Sequence, residues 1–215
     1  DMVGIAQTGS GKTCAFLLPL LVYIDKLPRL TPVLAQDGPY AICMAPSREL
    51  AQQIAGECDK LSRGLNIRNV AIVGGLSIQD QGFFIREGAE IIIATPGRLF
   101  DCIERRYLVL NQCNYVVLDE ADRMIDMNFE PQIVKILEAM PSSNMRPLEE
   151  DKWDDNKTYR QTTMFSATMP LKVELLAKKY LRNPIFISIG DRAGNAANTV
   201  TQTIVWVTSD NQKRQ

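Results

Sequence analysis

Short apolar segments recur along the chain and are separated by longer amphipathic stretches. Continuous rather than alternating apolarity indicates strands that are buried on both faces of a sheet. Between them, residues 47–58 and 171–181 carry apolar side chains at helical spacing. The alternation predicts an α/β fold with a doubly wound, mostly parallel sheet and helices on both faces. The predicted strands are MVGIA from Met2, YAICMA from Tyr40, NVAIVGG from Asn69, EIIIAT from Glu90, YVVLDE from Tyr115, TTMFSAT from Thr162 and PIFISIG from Pro184.

Two stretches depart from this alternation. Residues 141–159 are polar and acidic, which predicts an exposed insertion between a helix and a strand. Residues 191–200 have the composition of a linker, and residues 201–215 contain one further apolar segment. The predicted organisation is therefore a domain over residues 1–190, a linker, and the truncated start of a second domain.

Composition narrows the chemistry that is available. The chain has 215 residues, 46% of them hydrophobic, and a net charge of -1, so it can bury a core but has no overall basic character for binding nucleic acid. Because it contains no histidine, carboxylates must handle protons in any catalytic site. The five scattered cysteines predict buried free thiols in a reducing compartment. Without a signal peptide or a membrane-length apolar run, a soluble intracellular protein is expected, with no membrane contact.

The first motif with chemical meaning is AQTGSGKT, which lies between the first predicted strand and a helical run. This is the context of a phosphate-binding loop, in which Gly9 and Gly11 let backbone N–H groups turn inward. Lys12 is expected to reach the β- and γ-phosphates, and the Thr13 hydroxyl to bind Mg²⁺. Ala6 departs from the glycine that usually opens the motif. The predicted nucleotide-binding residues are Ala6, Gln7, Thr8, Gly9, Ser10, Gly11, Lys12 and Thr13.

The second motif is a cluster of carboxylates directly after the predicted strand YVVL. Ligands bind at the carboxyl edge of an open α/β sheet, and the phosphate loop leaves its strand at the same edge. Asp119 is therefore expected to hold Mg²⁺, directly or through water, and Glu120 to act as general base for an attacking water. Asp122 completes the cluster.

Six motifs in order resemble the DEAD-box RNA helicases: AQTGSGKT, PSRELAQQI from Pro46, GG at Gly74, TPGR from Thr95, DEAD from Asp119 and SAT from Ser166. The resemblance implies a RecA-like P-loop NTPase domain that uses ATP and Mg²⁺. It also implies that Ser166 and Thr168 link ATP hydrolysis to strand separation, by hydrogen bonds to the DEAD carboxylates. The implied catalytic residues are Lys12, Asp119, Glu120, Asp122, Ser166 and Thr168. The implied RNA contacts, which grip the sugar-phosphate backbone without reading sequence, are Pro46, Ser47, Arg48, Gly75, Thr95, Gly97 and Arg98.

The resemblance also implies partners. In this family a second RecA-like domain of the same protein supplies arginines to the ATP site, and a glutamine-centred adenine motif lies upstream of the phosphate loop. The run from Arg105 to Ile133 and the insertion before YRQTTMFSATMP most resemble the spliceosomal branch, associated with the tri-snRNP and the five-prime splice site. That branch implies spliceosomal protein partners and a nuclear location.

Three alternatives remain open at this point. The translation-associated branch of the family, which would be cytoplasmic, shares much of the same sequence. An ATP-gated RNA clamp without turnover and a P-loop ATPase that acts on protein or small-molecule cargo are the other two.

Overall fold

The computed structural model describes residues 1–7, 9–147, 149–154 and 157–189. All seven predicted strands are present in one sheet of order β3-β4-β2-β5-β6-β1-β7, and every neighbouring pair is parallel. The sheet is thus fully rather than mostly parallel. The predicted linker and truncated second domain lie outside the described residues. The strands are β1 (Met2–Ala6), β2 (Ala41–Met44), β3 (Asn69–Ile72), β4 (Ile91–Ala94), β5 (Tyr115–Leu118), β6 (Gln161–Ser166) and β7 (Ile185–Ile189).

Seven α-helices connect or follow these strands in the described part of the chain. The two helices predicted from periodicity correspond to α2 and α7 and differ from the prediction by only a few residues at their ends. None of the described helices has the length and apolarity needed to span a bilayer. The helices are α1 (Lys12–Asp25), α2 (Arg48–Leu61), α3 (Ile78–Arg86), α4 (Pro96–Glu104), α5 (Ala121–Asp126), α6 (Glu130–Glu138) and α7 (Leu171–Tyr180).

Helices cover both faces of the sheet, as the doubly wound prediction requires. Successive residues of a strand point to opposite faces. Ala41 and Cys43 of β2 pack in one hydrophobic core with α1 and α2, whereas Ile42 and Met44 pack in a second core with residues from α3 to α7. Burial on both faces explains why the central strands are apolar at every position.

The strand order divides the carboxyl edge of the sheet into two halves. The strands β5, β6 and β1 are neighbours and lead into the phosphate loop, the DEAD carboxylates and the SAT motif. The strands β3, β4 and β2 are also neighbours and lead into the candidate RNA contacts. The topology therefore places a nucleotide half and an RNA half side by side.

The insertion between α6 and β6 lies at the opposite, amino edge of the sheet. Its described part contains two short 3₁₀ turns, Ser142–Asn144 and Glu150–Lys152. The Trp153 indole N–H donates to the Pro147 carbonyl at 3.0 Å, and the Arg146 guanidinium lies 4.7 Å from the centre of the Trp153 ring. These contacts give the segment a local structure without a buried core of its own.

Gly38 offers a test of how tightly the amino edge is packed. It has a φ of 89°, and a Cβ atom there would lie 1.9 Å from the Val109 carbonyl oxygen. We expect Gly38→Ala to lower the free energy of unfolding by more than about 3 kcal/mol, because it adds a backbone clash to backbone strain. Urea denaturation of the chain measures this loss.

Gly64 provides the matched control for this substitution. Its φ of 86° is also positive, but a Cβ atom there would meet nothing within 4 Å. Gly64→Ala should therefore cost only about 1 kcal/mol, the strain contribution alone. Equal losses of unfolding free energy in the two variants would show that the contact with Val109 does not cause the loss in Gly38→Ala.

Candidate nucleotide and RNA sites

The phosphate loop joins β1 to α1 in the predicted strand–loop–helix arrangement. Gly9 and Gly11 have φ angles of 81° and 87°, which an L-residue adopts only with strain. The Lys12 ammonium donates to the Ala6 carbonyl at 2.7 Å, so it folds back over the loop. A bound phosphate would have to replace this carbonyl as the acceptor. Thr8, which belongs to the predicted nucleotide-binding set, lies outside the described residues.

One cleft brings the phosphate loop and the first two DEAD carboxylates together. It has a volume of about 710 Å³ and includes Gly9, Lys12, Thr13, Asp119 and Glu120 in its lining. Gln7 and Ser10 belong to the same loop, and Ala6 is the last residue of β1 before it. The cleft thus brings Asp119 and Glu120 together with four of the predicted nucleotide-binding residues, Gly9, Gly11, Lys12 and Thr13, whereas Ala6, Gln7 and Ser10 are not part of its lining.

Several residues that line the cleft were not predicted from the sequence. They are Cys14, Glu49, Leu50, Gln53, Glu57 and Arg123. Glu49, Gln53 and Glu57 occur at every fourth position of α2, so helical periodicity could have shown that they share a face. The prediction of buried thiols is confirmed for the other four cysteines but is wrong for Cys14, which is exposed because α1 turns it toward the cleft.

Asp119 is almost completely buried at the floor of the cleft, with 3% of its surface exposed. Burial raises the pKa of its carboxyl from 3.8 to about 6, Lys12 opposes this rise, and Glu120 adds to it. One carboxylate oxygen accepts the Glu120 backbone N–H at 3.0 Å. A cation in the cleft would relieve the cost of this buried charge.

The oxygen donors of Thr13 and Asp119 suit Mg²⁺, which prefers hard oxygen ligands and usually takes few of them from the protein. Within the described residues, no group of three or more Asp, Glu, His or Cys side chains is arranged to hold a metal. The residues therefore fit a Mg²⁺ ion whose remaining ligands are phosphate oxygens and water.

Glu120 lies in the cleft with an unusual backbone conformation. Its φ of 51° and ψ of 52° are left-handed, which costs about 1 kcal/mol or more for a residue other than glycine. Its carboxylate is 3.4 Å from the Arg123 guanidinium, one turn further along α5. Such strain is characteristic of residues that a site holds in place for function.

Asp122 faces the SAT segment and is not part of the cleft lining. Its carboxylate accepts the Thr168 backbone N–H at 2.9 Å and the Thr168 hydroxyl at 2.7 Å. The Asp122 backbone N–H donates to the Ser166 hydroxyl oxygen at 3.3 Å. Burial raises the pKa of Asp122, but the hydrogen bonds from Thr168 and Ser166 outweigh it and hold the pKa below its ordinary value. The contact expected between the DEAD and SAT motifs is thus made by Asp122.

Replacing Thr168 tests the strength of this contact. Thr168→Val removes the hydroxyl donor and keeps the backbone donor, so we expect the free energy of unfolding to fall by about 1–2 kcal/mol at pH 7. Thr168→Ser, which keeps the hydroxyl, is the matched control. Because the folded-state pKa of Asp122 is lowered from 3.8, the difference between the variants should persist at neutral pH and disappear as pH falls below about 4. A difference that does not change with pH would assign the loss to packing.

The candidate RNA residues after β2 and β3 lie next to each other. Ser47 caps α2, its hydroxyl oxygen accepting the Leu50 N–H at 3.2 Å, while the preceding Pro46 is buried. Arg48 is exposed and reaches Gly75, where a Cβ atom would lie 2.8 Å from a guanidinium nitrogen. Any larger residue than glycine at this position would therefore displace the arginine.

The remaining candidate RNA residues form the first turn of α4. Thr95 precedes the helix, and its N–H donates to the Ile72 carbonyl of β3 at 3.2 Å. Gly97 and Arg98 follow in the first turn and are both partly exposed. The N-termini of α2 and α4 therefore lie at the same edge, where helix N-terminal N–H groups and arginines favour anionic groups. This arrangement suits phosphates of a nucleic-acid strand.

The parallel sheet, the phosphate loop and the adjacent carboxylates define a nucleotide-binding domain of the RecA-like class. The profile of a family described as DEAD/DEAH box helicase matches residues 1–176. The chain belongs to this family, which confirms the resemblance found in the sequence. Family membership implies the use of a nucleotide.

Similar proteins carry the names of RNA helicases. The chain is 61% identical, over 99% of its length, to DEAD-box ATP-dependent RNA helicase 21 of Oryza sativa subsp. japonica. It is 52% identical, over its whole length, to pre-mRNA-splicing ATP-dependent RNA helicase prp-28 of Neurospora crassa. The chain spans 29% and 31% of the length of these two relatives.

Solved structures of similar proteins share the fold. The yeast DEAD-box splicing factor Prp28 matches 91% of this chain with a TM-score of 0.80 and 39% identity, over 42% of its own chain. The RNA helicase Prp28 from Chaetomium thermophilum, solved bound to ADP, matches the whole chain with a TM-score of 0.72 and 49% identity, over 46% of its own chain.

Proposed function

We propose that this chain is the ATP-binding half of an ATP-dependent RNA helicase, in which ATP hydrolysis drives the remodelling of RNA duplexes or RNA–protein complexes. The observation that carries the proposal is the cleft in which Lys12, Thr13, Asp119 and Glu120 converge. The candidate RNA surface on the same edge of the sheet supports RNA as the second ligand.

In the nucleotide half, the phosphate loop and Lys12 hold the phosphates of ATP. Lys12 exchanges its hydrogen bond with the Ala6 carbonyl for one with a phosphate oxygen. Thr13 and Asp119 hold the metal ion, and Mg²⁺ supplies charge neutralisation at the phosphates when it is bound. Glu120 orients the attacking water and accepts its proton. Because the chain has no histidine, the base is expected to be a carboxylate.

In the RNA half, Arg48 and Arg98 pair with phosphates of one strand, and the N-termini of α2 and α4 add backbone donors. Pro46, Ser47, Gly75, Thr95 and Gly97 shape the surface beside them. These groups contact the sugar-phosphate backbone, so binding is independent of base sequence. The low net charge of -1 is consistent with a local surface rather than a basic face.

The DEAD–SAT contact lies within the nucleotide half, and a second RecA-like domain of the same protein couples that half to the RNA half. Asp122 ties the segment after β5, which carries Asp119 and Glu120, to Ser166 and Thr168. The second domain completes the ATP site with arginines when ATP and RNA bind. Closure of the two domains bends one RNA strand and separates a short duplex.

The process in which the helicase acts is pre-mRNA splicing, and spliceosomal proteins in the nucleus are its partners. This part of the proposal is supported by the splicing names of the relatives and solved structures reported above. It is tested by depletion of the full-length protein from a splicing extract, where add-back of wild-type protein but not Glu120→Gln should restore splicing. Unchanged splicing after depletion would contradict it.

Strand separation tests the helicase activity itself. The full-length protein should separate a short RNA duplex with ATP, and Arg98→Ala should reduce this separation while leaving nucleotide binding intact. Retention of RNA with ATP but without turnover would instead indicate an ATP-gated clamp. Turnover that is independent of RNA would indicate an ATPase that acts on other cargo.

A further inference from the structure

A second pocket lies at the amino edge of the sheet, opposite the nucleotide and RNA sites. It has a volume of about 360 Å³, and its lining includes Pro32, Ala35, Leu108 and Val109 together with the side chains of Arg86 and Arg106. Helices of a parallel α/β domain return the chain to the amino edge, so this pocket forms where α1, α3 and α4 end. We call it the rear pocket.

The walls of the rear pocket are fixed by contacts between the two loops that form them. The Gln112 side-chain amide donates to the Leu34 carbonyl at 2.8 Å and also to the Gly38 carbonyl. The Gln112 backbone N–H donates to the Asp37 carbonyl at 3.2 Å. Together with the close approach of Gly38 to Val109, these bonds preform the pocket, so a ligand would find it already shaped.

Arg86 and Arg106 are the two charged residues in the lining of the rear pocket. The Arg86 guanidinium lies 5.5 Å from the centre of the Tyr107 ring, and Arg106 follows α4 in a left-handed conformation with φ 58°. Neither forms an ion pair with any residue that the structure describes. By contrast, the nearby Arg68 pairs with Glu87 at 2.6 Å. The rear pocket therefore combines an apolar floor with two available cations.

We infer that the rear pocket binds an acidic peptide segment of a protein partner. Carboxylates of the segment pair with Arg86 and Arg106, and an apolar side chain fills the space between Ala35, Leu108 and Val109. Arg–carboxylate pairing supplies direction, and burial of the apolar side chain supplies most of the affinity. This interaction is additional to the proposed function and leaves the opposite edge of the sheet free.

A peptide fits the rear pocket better than RNA does. Single-stranded RNA needs a continuous basic track and aromatic faces on which bases stack. Here Tyr107 is the aromatic residue in the lining, and Arg86 already covers a face of its ring. A volume of about 360 Å³ accommodates one or two side chains rather than a run of nucleotides.

The test is a selection of peptides from a phage-displayed random library on the chain, followed by fluorescence anisotropy with the enriched peptide. We expect enriched sequences to contain Asp or Glu beside one large apolar residue. Arg86→Glu/Arg106→Glu should weaken binding of the peptide by at least about tenfold. The charge-matched control Arg63→Glu/Lys172→Glu changes two exposed residues outside the rear pocket and should leave binding unchanged.

Two further readouts separate the alternatives. Val109→Ser, which alters the floor and keeps both charges, should also weaken binding, and thermal melting should show that each variant is folded. The inference would be overturned if the enriched peptides lacked acidic residues. It would also be overturned if their binding were insensitive to Arg86→Glu/Arg106→Glu. A single-stranded RNA probe whose binding is lost in Arg86→Glu/Arg106→Glu would overturn it in favour of an RNA site. RNA-stimulated ATP hydrolysis by the full-length protein should be the same for all of these variants.

Discussion

Glu120→Gln is expected to lower RNA-stimulated ATP hydrolysis by the full-length protein by about 100-fold or more, while nucleotide binding stays within about twofold of wild type. The amide has nearly the same shape as the carboxylate but cannot accept a proton from the attacking water. Binding depends mainly on Lys12 and the phosphate loop, which the substitution leaves unchanged. Single-turnover phosphate release and a fluorescent nucleotide titration measure the two quantities separately.

Glu130→Gln is the matched control for this prediction. Glu130 is exposed at the start of α6 and lies outside the cleft, so its replacement should change neither quantity. If Glu120→Gln hydrolysed ATP at the wild-type rate, the cleft would need another base and the proposed role of Glu120 would be wrong. If Glu120→Gln lost nucleotide binding as well, Glu120 would act mainly by binding the nucleotide rather than by stabilising the transition state of hydrolysis.

Asp119→Asn is expected to stabilise the chain and abolish its catalytic function. Burial raises the pKa of Asp119 from 3.8 to about 6, so the folded state holds an ionised carboxyl at neutral pH only at a cost. One pKa unit corresponds to about 1.4 kcal/mol, which makes this cost as much as about 3 kcal/mol. An asparagine removes the charge and keeps an oxygen that can accept the Glu120 N–H. It also removes an anionic ligand for Mg²⁺, so hydrolysis should be lost.

The stability difference between Asp119→Asn and wild type should depend on pH in a defined direction. The folded-state pKa is the higher one, so the cost of ionisation is fully present above about pH 6 and disappears as pH falls toward 3.8. Urea denaturation in EDTA should therefore show that Asp119→Asn has a much higher free energy of unfolding than wild type at pH 8. Near pH 4 the two proteins should be almost equally stable. A gain that is equal at both values would contradict the assignment to buried charge.

The opposite effects on stability and activity have one physical cause. A carboxylate whose burial Lys12 only partly offsets destabilises the chain, yet the same burial concentrates its attraction on a metal ion in the cleft. Asp122 is the contrasting case, because hydrogen bonds from Thr168 and Ser166 stabilise its charge without any ligand. Adjacent carboxylates of one motif therefore have different environments, and we expect them to have different roles.

The central strands β2, β4 and β5 were predictable because burial on both faces makes them apolar at every position. The same expectation is wrong for the edge strand β7, which is largely apolar but exposed at all five positions. Ile91, Ile92 and Ile93 of β4 are all buried, and only a central parallel strand requires this. The phosphate loop and the carboxylates were predictable because spacing and strand context define them locally. The parallel topology then brings Lys12 and Asp119 together, although more than a hundred residues separate them in the sequence.

Other features of the site depend on contacts that the sequence does not encode locally. The bond between Lys12 and the Ala6 carbonyl arises from the loop conformation, and the Arg123–Glu120 pair from the left-handed backbone of Glu120. The exposure of Cys14 depends on which face of α1 meets the sheet. The rear pocket requires the loops before β2 and β5 to meet the end of α3, so no single segment of the sequence indicates it. These features follow from tertiary packing rather than from a motif.

The most direct test of the account is the rate of ATP hydrolysis by the full-length protein with and without single-stranded RNA, compared between wild type and Arg48→Ala/Arg98→Ala. Our account predicts that RNA increases the wild-type rate severalfold or more, and that the double variant keeps its basal rate but loses most of the increase. Equal stimulation of the two proteins would contradict the placement of RNA on the β3-β4-β2 half of the edge. A wild-type rate that no RNA changes would contradict the proposed RNA-dependent ATPase itself.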